Sequence, residues 1–172
     1  MPGPVIITCA PTGGIHTPTM SPHLPVTAEE MIEQGRGAVA AGAAVLHLHA
    51  RQPADGRPSP DPEVYRPFVS ALAQDTDAVI NITTGGAITM SVEERLAAAI
   101  EFEPELASLN MGSMNYAKYS SRRKAFVFQA VFENSFDTIG ALLATMVEHG
   151  IRPEQIASVR CAIHPTPGKV VC

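Results

Sequence analysis

The sequence predicts an α/β fold of the (β/α)8 TIM-barrel type, incomplete, with about the first five strands and four helices. Three observations carry this reading. Helix- and strand-forming stretches alternate along the chain, the pattern of parallel strands joined by right-handed helical crossovers. Polar residues gather at the C-terminal ends of the strands, where barrel enzymes place their chemistry. The first strand-to-helix loop carries no G-x-G-x-x-G, the fingerprint of a dinucleotide-binding open sheet. A doubly wound open sheet fits the alternation equally well, so the last two observations favour the barrel. A closed eight-stranded barrel takes about 250 residues, and this chain has 172. It is read as a single domain over residues 1–172, the N-terminal part of a barrel.

Local signals place the elements in order. Val5–Thr8 is β-prone and reads as the first strand, followed by a loop rich in Pro, Thr and Gly up to Pro25. Thr27-Ala28-Glu29-Glu30 fits a capping box: the threonine hydroxyl accepts from one free amide and Glu30 reaches back to another. The helix it opens carries Met31, Ile32, Ala38, Val39 and Ala41, and Gly42 suits its stop. Val45–His49 reads as the second strand, Arg51–Asp61 as a loop, and Asp61-Pro62 as a helix start with proline in the first turn. Ala78–Thr83 is the third strand, Thr84-Gly85-Gly86 a turn, and Ser91-Val92-Glu93-Glu94 a second capping box. Leu106–Asn110 is the fourth strand. A polar loop, the apolar stretch Phe126–Phe132 and a helix from about Asp137 to His149, stopped by Gly150, come next. Gln155–Arg160 reads as a fifth strand opening an off-pattern tail over 155–172.

Composition narrows the function classes. Net charge is −5, and the one basic run is Arg122-Arg123-Lys124. A run that short reads as a solvated loop, so no nucleic-acid partner is expected. The N-terminus lacks the charged start and long apolar core of a signal peptide. No apolar run approaches the ~18 residues of a membrane span, so no membrane partner is expected either. Cys9, Cys161 and Cys172 are an odd, scattered set without metal-finger spacing. A reduced, cytoplasmic protein is the simplest reading.

The sharpest chemical signal is Val45-Leu46-His47-Leu48-His49-Ala50-Arg51. Side chains alternate across a strand, so His47, His49 and Arg51 share one face and the leucines the other. The leucines suit a helix layer, which turns the imidazoles inward. Two adjacent buried histidines are costly unless paired, and a divalent metal pairs them through neutral nitrogens. Two histidines hydrogen-bonded to backbone or water remain the alternative. Two ligands do not complete a zinc site, which takes at least three from the protein.

A second signal is Asn81-Ile82-Thr83-Thr84-Gly85-Gly86, where glycine amides and threonine hydroxyls can form an anion nest, or an ordinary tight turn. Ser108-Leu109-Asn110-Met111-Gly112-Ser113 repeats that logic more weakly. In the first loop, Cys9 reads as a small core residue. His16 is a proton carrier, a third ligand or a solvated side chain.

Together these motifs resemble the β-keto acid cleavage enzyme family, whose named member is the 3-keto-5-aminohexanoate cleavage enzyme. The resemblance rests on Ile7-Thr8-Cys9-Ala10-Pro11-Thr12-Gly13, Leu24-Pro25-Val26-Thr27, His47-Leu48-His49, Thr83-Thr84-Gly85-Gly86, Glu93-Glu94-Arg95-Leu96 and Ala107-Ser108-Leu109-Asn110. It implies a TIM barrel, a transferase that converts a β-keto acid and acetyl-CoA to acetoacetate and an acyl-CoA. It further implies that His47 and His49 are zinc (Zn2+) ligands and that Thr83, Gly86 and Ser108 bind substrate. A complete barrel of this kind is expected to be a homo-oligomer.

Two departures shape the expectation. Ile15 stands where the named member has an acidic residue that reads the substrate's amino group, which favours a neutral β-keto acid. After Gly150-Ile151-Arg152-Pro153-Glu154 the chain leaves the family's pattern and reaches Cys172 without the later strands. Those strands supply the family's carboxylate ligand and its proton-transfer pair. The chain is thus expected to be a truncated member, inactive as it stands, with its catalytic proton-transfer residues unknown. The other readings are a zinc hydrolase of the amidohydrolase type, whose His-x-His sits on the first strand, and a non-catalytic half-barrel remnant.

Overall fold

The computed structural model describes residues 3–156 and the paired backbones of 162–163 and 170–171. Thr8–Cys9 forms β1, and Ala28–Ala40 forms α1. Val45–Leu48 is β2, Ala50–Arg51 is β3, Pro58–Ser59 is β4 and Pro62–Asp75 is α2. Val79–Ile82 is β5, Val92–Phe102 is α3 and Leu106–Asn110 is β6. Met114–Ser120 and Ala125–Phe132 are β7 and β8, Phe136–Glu148 is α4 and Arg152–Ile156 is β9. Ala162–Ile163 and Val170–Val171 are β10 and β11, an antiparallel pair.

β1, β2, β5, β6 and β9 form one curled, all-parallel sheet in that order. Its helices begin where their caps dictate. Thr27 and Ser91 close full capping boxes with Glu30 and Glu94, and Asp61 caps α2 ahead of Pro62. Gly42 and Gly150 follow α1 and α4 at φ 105° and 70°, a left-handed conformation that glycine adopts without a Cβ penalty.

Strand alternation sorts the side chains into two layers. Leu46, Leu48, Ile80 and Ile82 pack against Met31, Phe68 and Leu72 of α1 and α2. Ala107 and Leu109 pack against Leu96, Ala99, Ile139, Leu142 and Met146 of α3 and α4. Each fully buried leucine or isoleucine contributes roughly 1.5–3 kcal/mol, enough to fix which face of each strand meets the helices. A one-residue slip would put His47 into the leucine layer. The core therefore sets the orientation of the opposite, polar face.

Three expectations are corrected. The first strand is shorter than expected: Val5, Ile6 and Ile7 are exposed, and only Thr8 and Cys9 pair with β2. The fifth strand starts at Arg152 instead of Gln155; residues 157–160 lie outside the described residues. The apolar stretch Phe126–Phe132 is one arm of an antiparallel hairpin, β7–β8, standing outside the parallel sheet. The loop after His49 contains a smaller pairing, β3 with β4. Among the described residues no helix is long and apolar enough to cross a membrane.

Candidate active site

The polar face of the sheet forms the floor of a cleft of about 540 Å³ at the strand C-terminal ends. His47, His49, Thr83, Gly86 and Ser108, from three strands and the turns after them, all line it. The hairpin walls one side through Tyr116, Lys118, Phe128 and Phe132.

His47 projects from β2, and His49 follows it after Leu48. Their Nε2 atoms lie 3.1 Å apart, with the rings edge to face. Burial pushes both imidazoles toward the neutral form. His47 stays below its ordinary range although the Glu154 carboxylate and the Asn81 amide pull the other way. His49 falls to about 3 through burial, with repulsion from His47 and Arg51 adding to it. Both Nδ1 atoms are buried and without a hydrogen-bond partner.

Two readings fit a 3.1 Å Nε2 pair: a direct imidazole hydrogen bond, or two lone pairs on one cation. Zinc binds imidazole nitrogen at about 2.0–2.1 Å, and two such nitrogens around one ion stand at roughly this separation. Neutral, preset imidazoles are the form a metal takes. They supply two ligands; among the described residues no set of three His, Cys, Asp or Glu side chains could hold a metal.

The loop after β5 is less open than its composition suggests. Thr83 N–H donates to the Leu48 carbonyl, Thr84 N–H to Ser108 Oγ, and Gly85 N–H to Thr83 Oγ1 at 3.0 Å. Thr84 Oγ1 in turn donates to the Ser108 carbonyl at 2.6 Å. Those amides are spent inside the fold. The Gly86 N–H has no partner among the described residues, and the Thr83 hydroxyl, used as an acceptor, keeps its own proton to donate. An anion can therefore be held by Thr83 O–H and Gly86 N–H. Ser108, fully buried, lines the cleft and also ties β6 to this loop.

Several residues that build the site were missed by sequence reasoning, or, for Arg51, placed on the histidine face without their partners. Arg51 is buried and donates to Thr12 Oγ1 at 2.7 Å, to the Gly56 carbonyl at 2.5 Å, and to the Gly13 carbonyl. It pins the first loop over the cleft instead of facing it. There Gly14 backs onto Gly86, and a Cβ on it would collide with the Gly86 carbonyl. Asn81 Nδ2 donates to Glu154 Oε2 at 2.6 Å beside His47. Arg95 donates to the Thr84 carbonyl, the Glu133 carbonyl and Asn134 Oδ1, and stacks on Phe132 at 4.8 Å. Glu154 fell just outside the expected fifth strand, and Arg95 shows only as one helical residue in a motif. His16 is exposed and lines a neighbouring groove, away from the histidine pair. Cys9 packs against the α1–α2 core as a small residue; Cys161 and Cys172 lie outside the described residues.

A family model described as beta-keto acid cleavage enzyme matches residues 4–158. The chain belongs to that family. The chain is 47% identical, over 163 residues, to a protein of Paraburkholderia graminis named 3,5-dioxohexanoate:acetyl-CoA acetone transferase. That match covers 87% of this chain and 53% of the relative. It is 34% identical to the 3-keto-5-aminohexanoate cleavage enzyme of Acetoanaerobium sticklandii, over 87% of this chain and 51% of that one. The chain thus spans about half the length of the curated relatives it matches. Its fold is similar to that of ObcA in an apo structure, with a TM-score of 0.58 and 24% identity over 78% of this chain and 30% of ObcA. Within the β-keto acid cleavage family, the His-x-His pair of this chain stands on the second strand of the sheet, preceded by β1.

Proposed function

We propose that the protein cleaves a neutral β-keto acid with acetyl-CoA, releasing acetoacetate and the CoA ester of the remaining acid. In this reading the parallel sheet is part of a (β/α)8 barrel, and His47 and His49 are two of the ligands of a zinc ion. The bond between the keto carbon and the CH2–COO− unit breaks, that two-carbon unit leaves joined to the acetyl group as acetoacetate, and the acyl remainder leaves on the CoA sulfur. The carrying observation is the convergence of a neutral, preset histidine pair with Thr83, Gly86 and Ser108 in one cleft.

When bound, zinc supplies Lewis-acid polarisation of the keto oxygen. The chain's own groups do the rest. Thr83 O–H and Gly86 N–H hold the acid's carboxylate and fix its orientation, which lowers the entropic part of the barrier. Ile15, Ile88 and Ile156 offer the acid's tail an apolar lining with no carboxylate among them. A substrate ammonium would find no partner there, whereas a keto or alkyl tail loses little on entry. The Paraburkholderia relative, named for a neutral dioxo acid, supports the same choice.

The test is acetoacetate formation by the full barrel, this chain joined to the family's later strands, with acetyl-CoA and either 3,5-dioxohexanoate or 3-keto-5-aminohexanoate. The neutral acid should win by at least about tenfold in kcat/KM, which corresponds to roughly 1.4 kcal/mol. Equal rates, or preference for the amino acid, would remove the role given to Ile15.

A further inference from the structure

The β7–β8 hairpin is more than a wall of the cleft. Between Glu105 and Glu133 the sequence holds no acidic residue, yet it carries Lys118, Arg122, Arg123 and Lys124 in a chain of net charge −5. The other cations of the described residues are mostly committed. Arg36, Arg57 and Arg66 pair with carboxylates, Arg51 and Arg95 are buried, and Arg152 begins β9 at the opposite end of the strands. All four hairpin cations are exposed and make no ion pair among the described residues.

Their arrangement is graded. The hairpin leaves the C-terminal end of β6 with Met114 paired to Phe132 at its base, then Tyr116 to Ala130, then Lys118 to Phe128. Ser120 and Ala125 pair last, before the turn that carries the triplet. At about 3.3 Å per strand residue, the triplet stands roughly 13 Å beyond Lys118. A molecule lying along this wall thus meets the histidine pair at the floor, then the aromatic rings of Phe132, Tyr116 and Phe128, then one cation, and last a cluster of three. That sequence is apolar arm first, polyanion last.

We infer that the hairpin is the binding site for the phosphate groups of a CoA thioester, with Lys118 and the Arg122–Lys124 turn as the phosphate contacts and Tyr116 and Phe128 along the pantetheine arm. The inference rests on the acetyl-CoA reading above and adds the location of the carrier. Free phosphates would need only the turn; the aromatic stretch between turn and floor is what selects a long thioester arm. The triplet, too short for a nucleic-acid site on its own, is well sized for one cofactor's phosphates.

The experiment is equilibrium binding of coenzyme A and of pantetheine, which lacks the nucleotide and its phosphates, by calorimetry at two salt concentrations. The proteins are the wild type, K118Q, and the triple variant R122Q/R123Q/K124Q. All four positions are exposed, and circular dichroism verifies folding. The inference predicts that coenzyme A binds more weakly as salt rises. It also predicts that the triple variant loses about tenfold or more in coenzyme A affinity, that K118Q loses less, and that pantetheine affinity stays unchanged in both. Wild-type binding of coenzyme A that survives the triple substitution would overturn the hairpin site and leave the acetyl-CoA reading standing. If neither compound binds the wild type, both fall together. Retention of an RNA oligonucleotide on the hairpin, with coenzyme A binding insensitive to the variants, would also overturn it.

Discussion

His49 owes its chemistry to where the leucines around it are buried. With Leu46 and Leu48 fixed under α1 and α2, the strand turns its imidazoles into the cleft, and burial holds His49 neutral down to about 3. In the unfolded chain the ring binds a proton below about pH 6.5, which the folded ring refuses. Zinc-free protein should therefore lose stability as pH falls from about 6.5 toward 3, at about 1.4 kcal/mol per pH unit from this group. His49→Gln should flatten that slope in urea melts; an unchanged slope would mean that the ring is not held neutral. Thr83 gives a second prediction at this scale. Its hydroxyl accepts from Gly85 N–H and keeps one proton for a ligand. In the full-length barrel Thr83→Val deletes a charge-assisted bond worth about 1.5–3 kcal/mol, so kcat/KM should fall by one to two orders of magnitude on the ~1.4 kcal/mol per decade scale. Thr83→Ser, which keeps the hydroxyl, should stay within a few-fold. Wild-type kinetics in Thr83→Val would make this loop a turn and nothing else.

Among the elements, those with local signals were legible in the sequence and those made by distant partners were not. Thr27, Asp61 and Ser91 mark three helix starts because a cap is a contact within one turn. β9 begins at Arg152, three residues before the expected Gln155, and takes in Pro153, a residue that disfavours strands. It is tolerated because Arg152 N–H makes the bond toward β6, so the neighbouring proline's missing N–H falls on the side that has no partner strand among the described residues. The β7–β8 hairpin was read as a polar loop and an apolar stretch because its pairing follows from register across a turn and shows no helical or capping signal. The histidine pair and the Thr83–Gly86 turn were legible because their chemistry is contiguous in sequence. Glu154 and Arg95 reach the site from elsewhere in the chain, and Arg51, though contiguous with the histidines, turns to the first loop, a partner 38 or 39 residues away that the local pattern does not show. Arg95 ties α3, the Thr84 carbonyl and the end of β8 together. Its loss leaves buried acceptors unpaired at about 1–3 kcal/mol each, so Arg95→Met should destabilise by roughly 3 kcal/mol in denaturant melts. Lys lacks the planar fork and should restore little of this. A loss below about 1 kcal/mol would show that the loop is held by Ser108 and Thr84 alone.

Over the whole molecule, one division of labour recurs. Outward faces of the strands bury apolar side chains under the helices, and inward faces bring His47, His49, Thr83 and Ser108 to one cleft, with Asn81 buried beside His47. Membership of the β-keto acid cleavage family and the geometry of the cleft meet at the histidine pair, whose Nε2 separation and neutral state suit one shared cation. A ligand that binds only the folded state stabilises it by mass action, by about 2.7 kcal/mol at a hundredfold excess over Kd. Elemental analysis of zinc in purified wild type and in the His47→Ala, His49→Ala variant, alongside melting curves with and without added zinc, tests the claim most directly. In the full barrel, where the later strands add the third ligand, the account predicts near-stoichiometric zinc and a zinc-dependent rise in Tm for the wild type, both absent from the folded double variant. Equal zinc content in the two proteins would contradict it.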